Sequence, residues 1–212
     1  MARSQDGVLG KPGDDGISRR DRYHHGDLRE SLITATHALV IEKGAEHFTL
    51  ADACRRAGVS TAAPYKHFSD KQEILEIICM RGFEQMRGDM LTGVEMHGAG
   101  TIEALQEMGR RYIRYARQET NVFRLMFGQN ADLKQARSLD EASTGCFAYL
   151  IGQVDIYMKS TGRAADPRGK ALGLWTFVHG AACLSIDGDY EKIAPDLDVE
   201  ALVTQATPSL LA

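Results

Sequence analysis

No Cys-x-x-Cys pair occurs in this 212-residue chain, whose four cysteines, Cys54, Cys79, Cys146 and Cys183, stand far apart. That leaves ordinary buried thiols in a reducing compartment as the plain reading, with a thiol-based sensor as the alternative. Proline is scarce, at 5, and strand-like alternation is scarce too. Apolar residues recur instead at three- and four-residue spacing, which predicts an all-α fold. The longest apolar run, Ala171 to Ile186, falls short of the roughly 20 residues of a membrane span and contains His179, so it reads as a buried helix. The first thirty residues lack an apolar stretch, so no signal peptide is expected and a cytoplasmic location is. There is no HExxH, no GxSxG, no glycine-rich phosphate loop and no carboxylate pair that stands out, which argues against an enzyme. No cofactor or metal is expected.

The composition present, 43% hydrophobic and 25% charged, suits a globular protein with a substantial core. The net charge of −4 is unevenly spread. From Ile17 to Lys71 the chain has nine Lys/Arg against seven Asp/Glu and five of its seven histidines; from Gln72 onward it has fourteen against nineteen. A mildly basic front and an acidic rear permit nucleic-acid binding at one end.

Residues 1–26 are rich in Gly, Asp and Arg without periodicity and are expected to be a flexible arm, whose Arg19, Arg20 and Arg22 are either solvated or able to follow a groove. A first helix is predicted from an N-cap at Asp27, through the stripe Leu28, Leu32, Ala35 and Leu39, to Gly44. Thr49 with Asp52 has capping-box spacing, and Gly58 is placed to reverse the chain. Ser60 is the expected cap of a third helix and Ser69, with Gln72, of a fourth. Three caps within about twenty residues predict a helix–turn–helix in a unit spanning 27–73. The remainder, 74–212, reads as further helices: one bearing Cys79, Phe83, Met86 and Met90, a weak stretch at "TGVEMHGAG", one from Thr101 with Leu105, Met108, Tyr112 and Tyr115, a short apolar piece, one from about Asp132 to Lys159, the Trp175 helix, and a last one from about Val199.

Within "GVSTAAPYKHFSDKQEIL", Gly58 to Leu75, Val59 and Phe68 can anchor the third helix. Thr61, Ala62, Ala63, Tyr65, Lys66 and His67 are left around its exposed side. A first turn of Thr-Ala-Ala lies close to a groove floor, where Thr61 can reach a base edge and alanine methyls can meet thymine methyls. Tyr65, Lys66 and His67 suit phosphates. Lys71, in the first turn of the fourth helix, opposes the helix dipole, so an external anion would explain its placement. The alternative is a plain surface of a small bundle.

The segment from about Asp27 to Gln85, with "TLADACRRAGVS" and "YKHFSDKQEIL", resembles the DNA-binding domain of the TetR/AcrR family of transcriptional regulators. The resemblance implies an all-helical homodimer on a palindromic double-stranded operator. It implies backbone contacts from Thr49, Tyr65, His67 and Lys71, and base-facing positions at Thr61 to Ala63 and Lys66, with Ser60 and Arg22 nearby. "LWTFVHGAACLSIDG" is similar to a Trp-x3-His-Gly signature of one subgroup's C-terminal domain.

In the rear unit, the Trp175 helix is apolar on nearly every face and is expected to be enclosed on all sides. Gly173, Phe177, Gly180 and Leu184 form one stripe and, with Leu202 of the last helix, are the candidate dimer interface; close packing within one subunit is the alternative. Phe83, Met86, Tyr112, Phe123, Met126, Phe127, Phe147, Tyr157 and Trp175 are either plain core or the deformable wall of an apolar effector pocket. His179 either orients a ligand or is a satisfied core group. The reading that results is a ligand-responsive repressor released by a small, largely apolar effector. The alternative is a DNA-binding module whose rear unit only dimerises or binds a protein.

Overall fold

In a computed structural model of the chain, residues 19–162 and 166–212 are described, with side chains from Leu28 onward. Ten α-helices follow one another among them: α1 Arg19–Lys43, α2 Leu50–Ala57, α3 Lys71–His97, α4 Ile102–Gln118, α5 Thr120–Phe127, α6 Ala131–Gln135, α7 Arg137–Ser160, α8 Pro167–Ile186, α9 Asp189–Ile193 and α10 Val199–Leu211. Short 3-10 turns occupy Ala45–His47 and Pro64–Lys66. The fold is all-helical, and no helix of the described residues is long and apolar enough to cross a membrane.

The front of the molecule closes around Leu32, Ile33, Val40, Phe48, Ala53, Phe68 and Ile74, buried side chains of α1, α2, α3 and the turns between them. The stripe expected on the first helix is there, with Leu32, Ala35 and Leu39 buried. Its start differs. α1 begins at Arg19, so Asp27 lies inside it and is no cap, and residues 19–26 of the expected arm are helical; the rest of that arm lies outside the described residues. The apolar packing continues without a break past residue 73 into Ile78, Cys79, Phe83, Val122 and Leu125. α3, α4, α7, α8 and α10 pack against one another behind it.

Thr49 and Asp52 form the capping box that opens α2, and Gly58 ends it with φ of 70°. The third helix is shorter than its pattern. Residues 61–63 form turns and only Pro64–Lys66 is helical, of the 3-10 kind; Ser60 caps nothing through its side chain. Pro64 explains this, because it lacks the N–H that would bond Ser60 one α-turn back, and the turn closes instead through His67 N–H to the Pro64 carbonyl at 2.8 Å. α3 is capped by Asp70, not Ser69. Asp70 accepts from the Glu73 N–H, and the Glu73 carboxylate takes the Ser69 N–H at 2.7 Å. α3 also runs through the stretch expected to be weak, up to Gly98 with φ of 89°. The helix expected over 132–159 is broken at Ala136, whose extended ψ of 112° separates α6 from α7.

α8 is not enclosed on all sides. Ala171, Val178, Ala181, Ala182 and Ser185 are buried, whereas Leu172, Thr176, Gly180 and Leu184 form an open, uncharged stripe.

Candidate nucleic-acid interface and ligand cavity

Ser60, Thr61, Ala62, Tyr65 and Lys66 stand exposed on one continuous surface, with Ala63 and His67 half-buried beside them and Pro64 and Phe68 beneath. Tyr65 is 67% exposed, a large aromatic held out by the turn that Pro64 imposes. Small residues at 61–63 leave the backbone itself near the surface. Arg22 lies on α1, but its side chain is outside the described residues.

Two residues expected to hold phosphate turn their donors inward. The Thr49 N–H and hydroxyl both donate to Asp52 Oδ2 at 2.8 Å, while the Thr49 oxygen accepts the Asp52 N–H. These bonds, first the backbone one and then the hydroxyl, hold the Asp52 carboxyl down at about 2, with Arg55 adding to them. Lys71 Nζ donates to the carbonyls of Ala45 at 2.5 Å and Phe48 at 2.7 Å and sits 4.1 Å from the Phe48 ring centroid. Internal carbonyls and an aromatic face therefore account for its placement without an external anion. Burial pushes its pKa down, against the charges of Glu46 and Asp52. Arg56, which sequence reasoning missed, clasps Glu42 with two bonds of 2.6 Å and ties α2 to α1.

Behind this surface, α3, α4, α7, α8 and α10, with Phe127 at the end of α5, line a cavity of about 300 Å³. Of the residues expected to line it, Phe83, Met86, Tyr112, Phe127, Phe147 and Trp175 do. Phe123, Met126, Tyr157 and His179 do not. Phe123 and Tyr157 are buried in the core, and the Met126 sulfur accepts the Tyr115 hydroxyl at 3.2 Å. His179 stands one layer back, its Nδ1 2.8 Å from the Tyr112 hydroxyl and its Nε2 3.7 Å from Cys183 Sγ. Its ring contacts those of Phe127 and Trp175 at 4.9 and 5.7 Å. Burial lowers the His179 pKa and keeps the imidazole neutral.

The wall also takes Met90, Leu105, Met108, Leu150, Leu174, Val178, Val203 and Leu210, with Ser143, Thr144, Cys146 and Thr207 as polar members. Leu105, Met108 and Leu150 lie on stripes visible in the sequence, but helical spacing does not separate a cavity wall from core. α10 enters as a wall because Gly109 lets it close on α4; a Cβ there would meet Val203 Cγ1 at 2.7 Å. No lining residue carries a charge.

Of the candidate interface residues, Gly173 and Phe177 are half-buried, Gly180 and Leu184 exposed, and Leu202 half-buried on α10. A Cβ on Gly173 or Gly180 would meet nothing within 4 Å. Phe177 also faces the cavity.

Residues 32–78 match the family described as "Bacterial regulatory proteins, tetR family", and residues 105–210 match "Tetracyclin repressor-like, C-terminal domain". Over 89 residues the chain is 27% identical to the HTH-type transcriptional repressor BepR of Brucella suis biovar 1 (strain 1330), a match spanning 42% of this chain and 43% of that protein. Its fold is similar to that of a protein of unknown function from Rhodococcus sp. RHA1, with a TM-score of 0.75 at 24% identity, covering 89% of this chain and 96% of that one. It is also similar to the transcriptional regulator FadR of Bacillus subtilis in complex with stearoyl-CoA, with a TM-score of 0.66 at 17% identity, covering 87% and 98%.

Proposed function

The chain belongs to the TetR family of bacterial DNA-binding transcriptional regulators, and we propose that it is a repressor that binds a palindromic operator as a homodimer and is released by a small, largely apolar ligand. Thr61, Ala62, Tyr65 and Lys66 face the groove, and two copies are held through the open stripe of α8 together with α10. That stripe is free of charge and carries no side chain at Gly180, with Gly173 half-buried beside it, so a second backbone can approach closely.

The observation that carries the reading is the continuity of α3. Its first turn is fastened to the DNA-facing unit through Lys71, and the same helix places Phe83, Met86 and Met90 in the cavity wall. A ligand that fits better when α3 is tilted shifts the dimer toward the tilted state by that difference in affinity, and the spacing of the two groove-facing turns changes with it.

Selection of tight-binding duplexes from a random pool tests the first half, with an inverted repeat expected. Titration of the selected duplex with a panel of apolar compounds tests the second. Compounds that saturate the protein yet leave its operator affinity unchanged would sink the release mechanism, and a lone unrepeated half-site would sink the dimeric one.

A further inference from the structure

A second cleft, of about 240 Å³, runs along a face of α3 other than the one that walls the apolar cavity. It lies where α1, α3 and the corner between α4 and α5 meet. Ile33, Ile78, Tyr115 and Val122 form its buried, largely apolar part. Gly82 lets Tyr115 lie against α3, because a Cβ there would meet the phenol oxygen at 2.7 Å. Thr34, Arg81 and Gln85 are exposed around it, with His37 and Glu119 half-buried. The lining draws on both family-matched segments, 32–78 and 105–210, so an occupant touches the groove-facing unit and the rear unit together.

The charged groups of this lining are not equally provided for. Arg81 Nη2 donates to both oxygens of Glu30, at 2.9 and 2.7 Å, and its side chain is 48% exposed. Its charge is matched and open to water. Glu119 differs. Its Oε2 is shielded from solvent and accepts no hydrogen bond, and His37 Nε2 stands 3.8 Å away, beyond bonding range. A shielded carboxylate oxygen without a donor is costly, and a ligand that brings N–H groups and a positive charge removes that cost. An anion would meet the negative charges of Glu119 and Glu30 and an arginine that is already paired. We infer that this cleft is a second ligand site, for a small primary ammonium carried on a compact apolar body. The ammonium bonds Glu119, and the body packs on Ile33, Ile78 and Val122. The site stands apart from the reading of the apolar cavity, whose wall carries no charge and offers a cation no partner.

Benzylamine, benzyl alcohol and benzoate, the same ring with different head groups, test this by calorimetry on the full chain at pH 8. Benzylamine is expected to saturate a single site per chain, and benzoate to give no saturable heat. Glu119→Gln is expected to weaken benzylamine roughly tenfold, because a charge-assisted bond is lost. It should leave benzyl alcohol, which the apolar cavity can also take, unchanged. Thr34→Phe, on the exposed rim and away from the core, is expected to weaken benzylamine as well by filling the mouth of the cleft. Absence of saturable benzylamine binding, benzoate binding as tight as the amine, or an amine affinity unmoved by both variants overturns the inference. Each of these leaves the effector reading standing, since that reading rests on the other cavity.

Discussion

A lysine at the first position of a helix meets a partial charge of its own sign, because the unbonded N–H groups of the first turn are positive. At Lys71 the conflict is resolved locally. The side chain leaves the helix end, crosses the Phe48 ring and takes the carbonyls of Ala45 and Phe48, both in the connection from α1 to α2. Lys71→Met keeps the stem and loses the two bonds, so it should cost roughly 1–3 kcal/mol in urea unfolding with an unchanged slope, discounted toward the lower end because the group is only partly buried. A variant as stable as the parent but weaker on every duplex would restore Lys71 to the DNA face. Glu107 is the acidic counterpart. It is 5% exposed and receives Arg110, Arg111 and Arg114 at 2.6, 2.9 and 3.5 Å. Burial alone would raise its pKa, but the Arg110 hydrogen bond and the three positive charges together outweigh it, so the pKa is lowered. A carboxyl lowered in the folded state contributes stability that is complete above its unfolded pKa of about 4.3 and is lost as pH falls through the folded value. Glu107→Gln should therefore be less stable than the parent by roughly 1–3 kcal/mol at pH 7. The gap should shrink below about pH 4.3. A pH-independent gap would assign the loss to packing.

At the scale of single elements, the groove-facing turn limits what can be read from DNA. Lys66 is the only long charged side chain on the exposed surface from Ser60 to Lys66, and the turn carries no Arg or Asn for a bidentate base contact. Backbone contacts and duplex shape must then supply much of the discrimination. Lys66→Ala should flatten preference at one or two positions per half-site in a binding-site selection, costing about 1–3 kcal/mol at each; loss of preference at many independent positions would contradict this. The same turn shows what the sequence made legible. Thr49 and Gly58 were readable as the two ends of α2 because each has a short-range partner, Asp52 for the one and the Arg55 and Cys54 carbonyls for the other. Ser69 and Asp70 are both good caps one residue apart, and only the tertiary position of Glu73, reaching back to the Ser69 N–H, decides between them. Pro64 is visible in the sequence, but its effect depends on length: it removes a bond from a segment with only one α-turn to lose. The cavity was legible in composition but not in detail. Phe83 and Phe123 share the same helical signal, and only the angle between helices makes one a wall and the other core.

At the scale of the whole molecule, the proposed coupling depends on α3 moving as one rod over its 27 residues from Lys71 to His97. Three glycines interrupt its sequence, and two have packing reasons. A Cβ on Gly82 would meet the Met126 sulfur at 2.5 Å and the Tyr115 oxygen at 2.7 Å, and one on Gly93 would press on Met108. Gly88 has none: it is exposed, with nothing within 4 Å of a Cβ, and lies between the cavity residues Met86 and Met90. Glycine there lowers helix stability by about 1 kcal/mol relative to alanine. It is the place where α3 would bend if it bends anywhere. Gly88→Ala should stabilise the chain by about 0.5–1 kcal/mol, since it adds helix propensity and collides with nothing. If α3 transmits as a rod, the variant keeps or increases the loss of operator affinity that a bound effector causes. If Gly88 is instead a hinge that the effector opens, the variant binds the effector as before yet stays on the operator. Parallel measurement of effector affinity and operator release in Gly88→Ala separates the two, because only the hinge uncouples them.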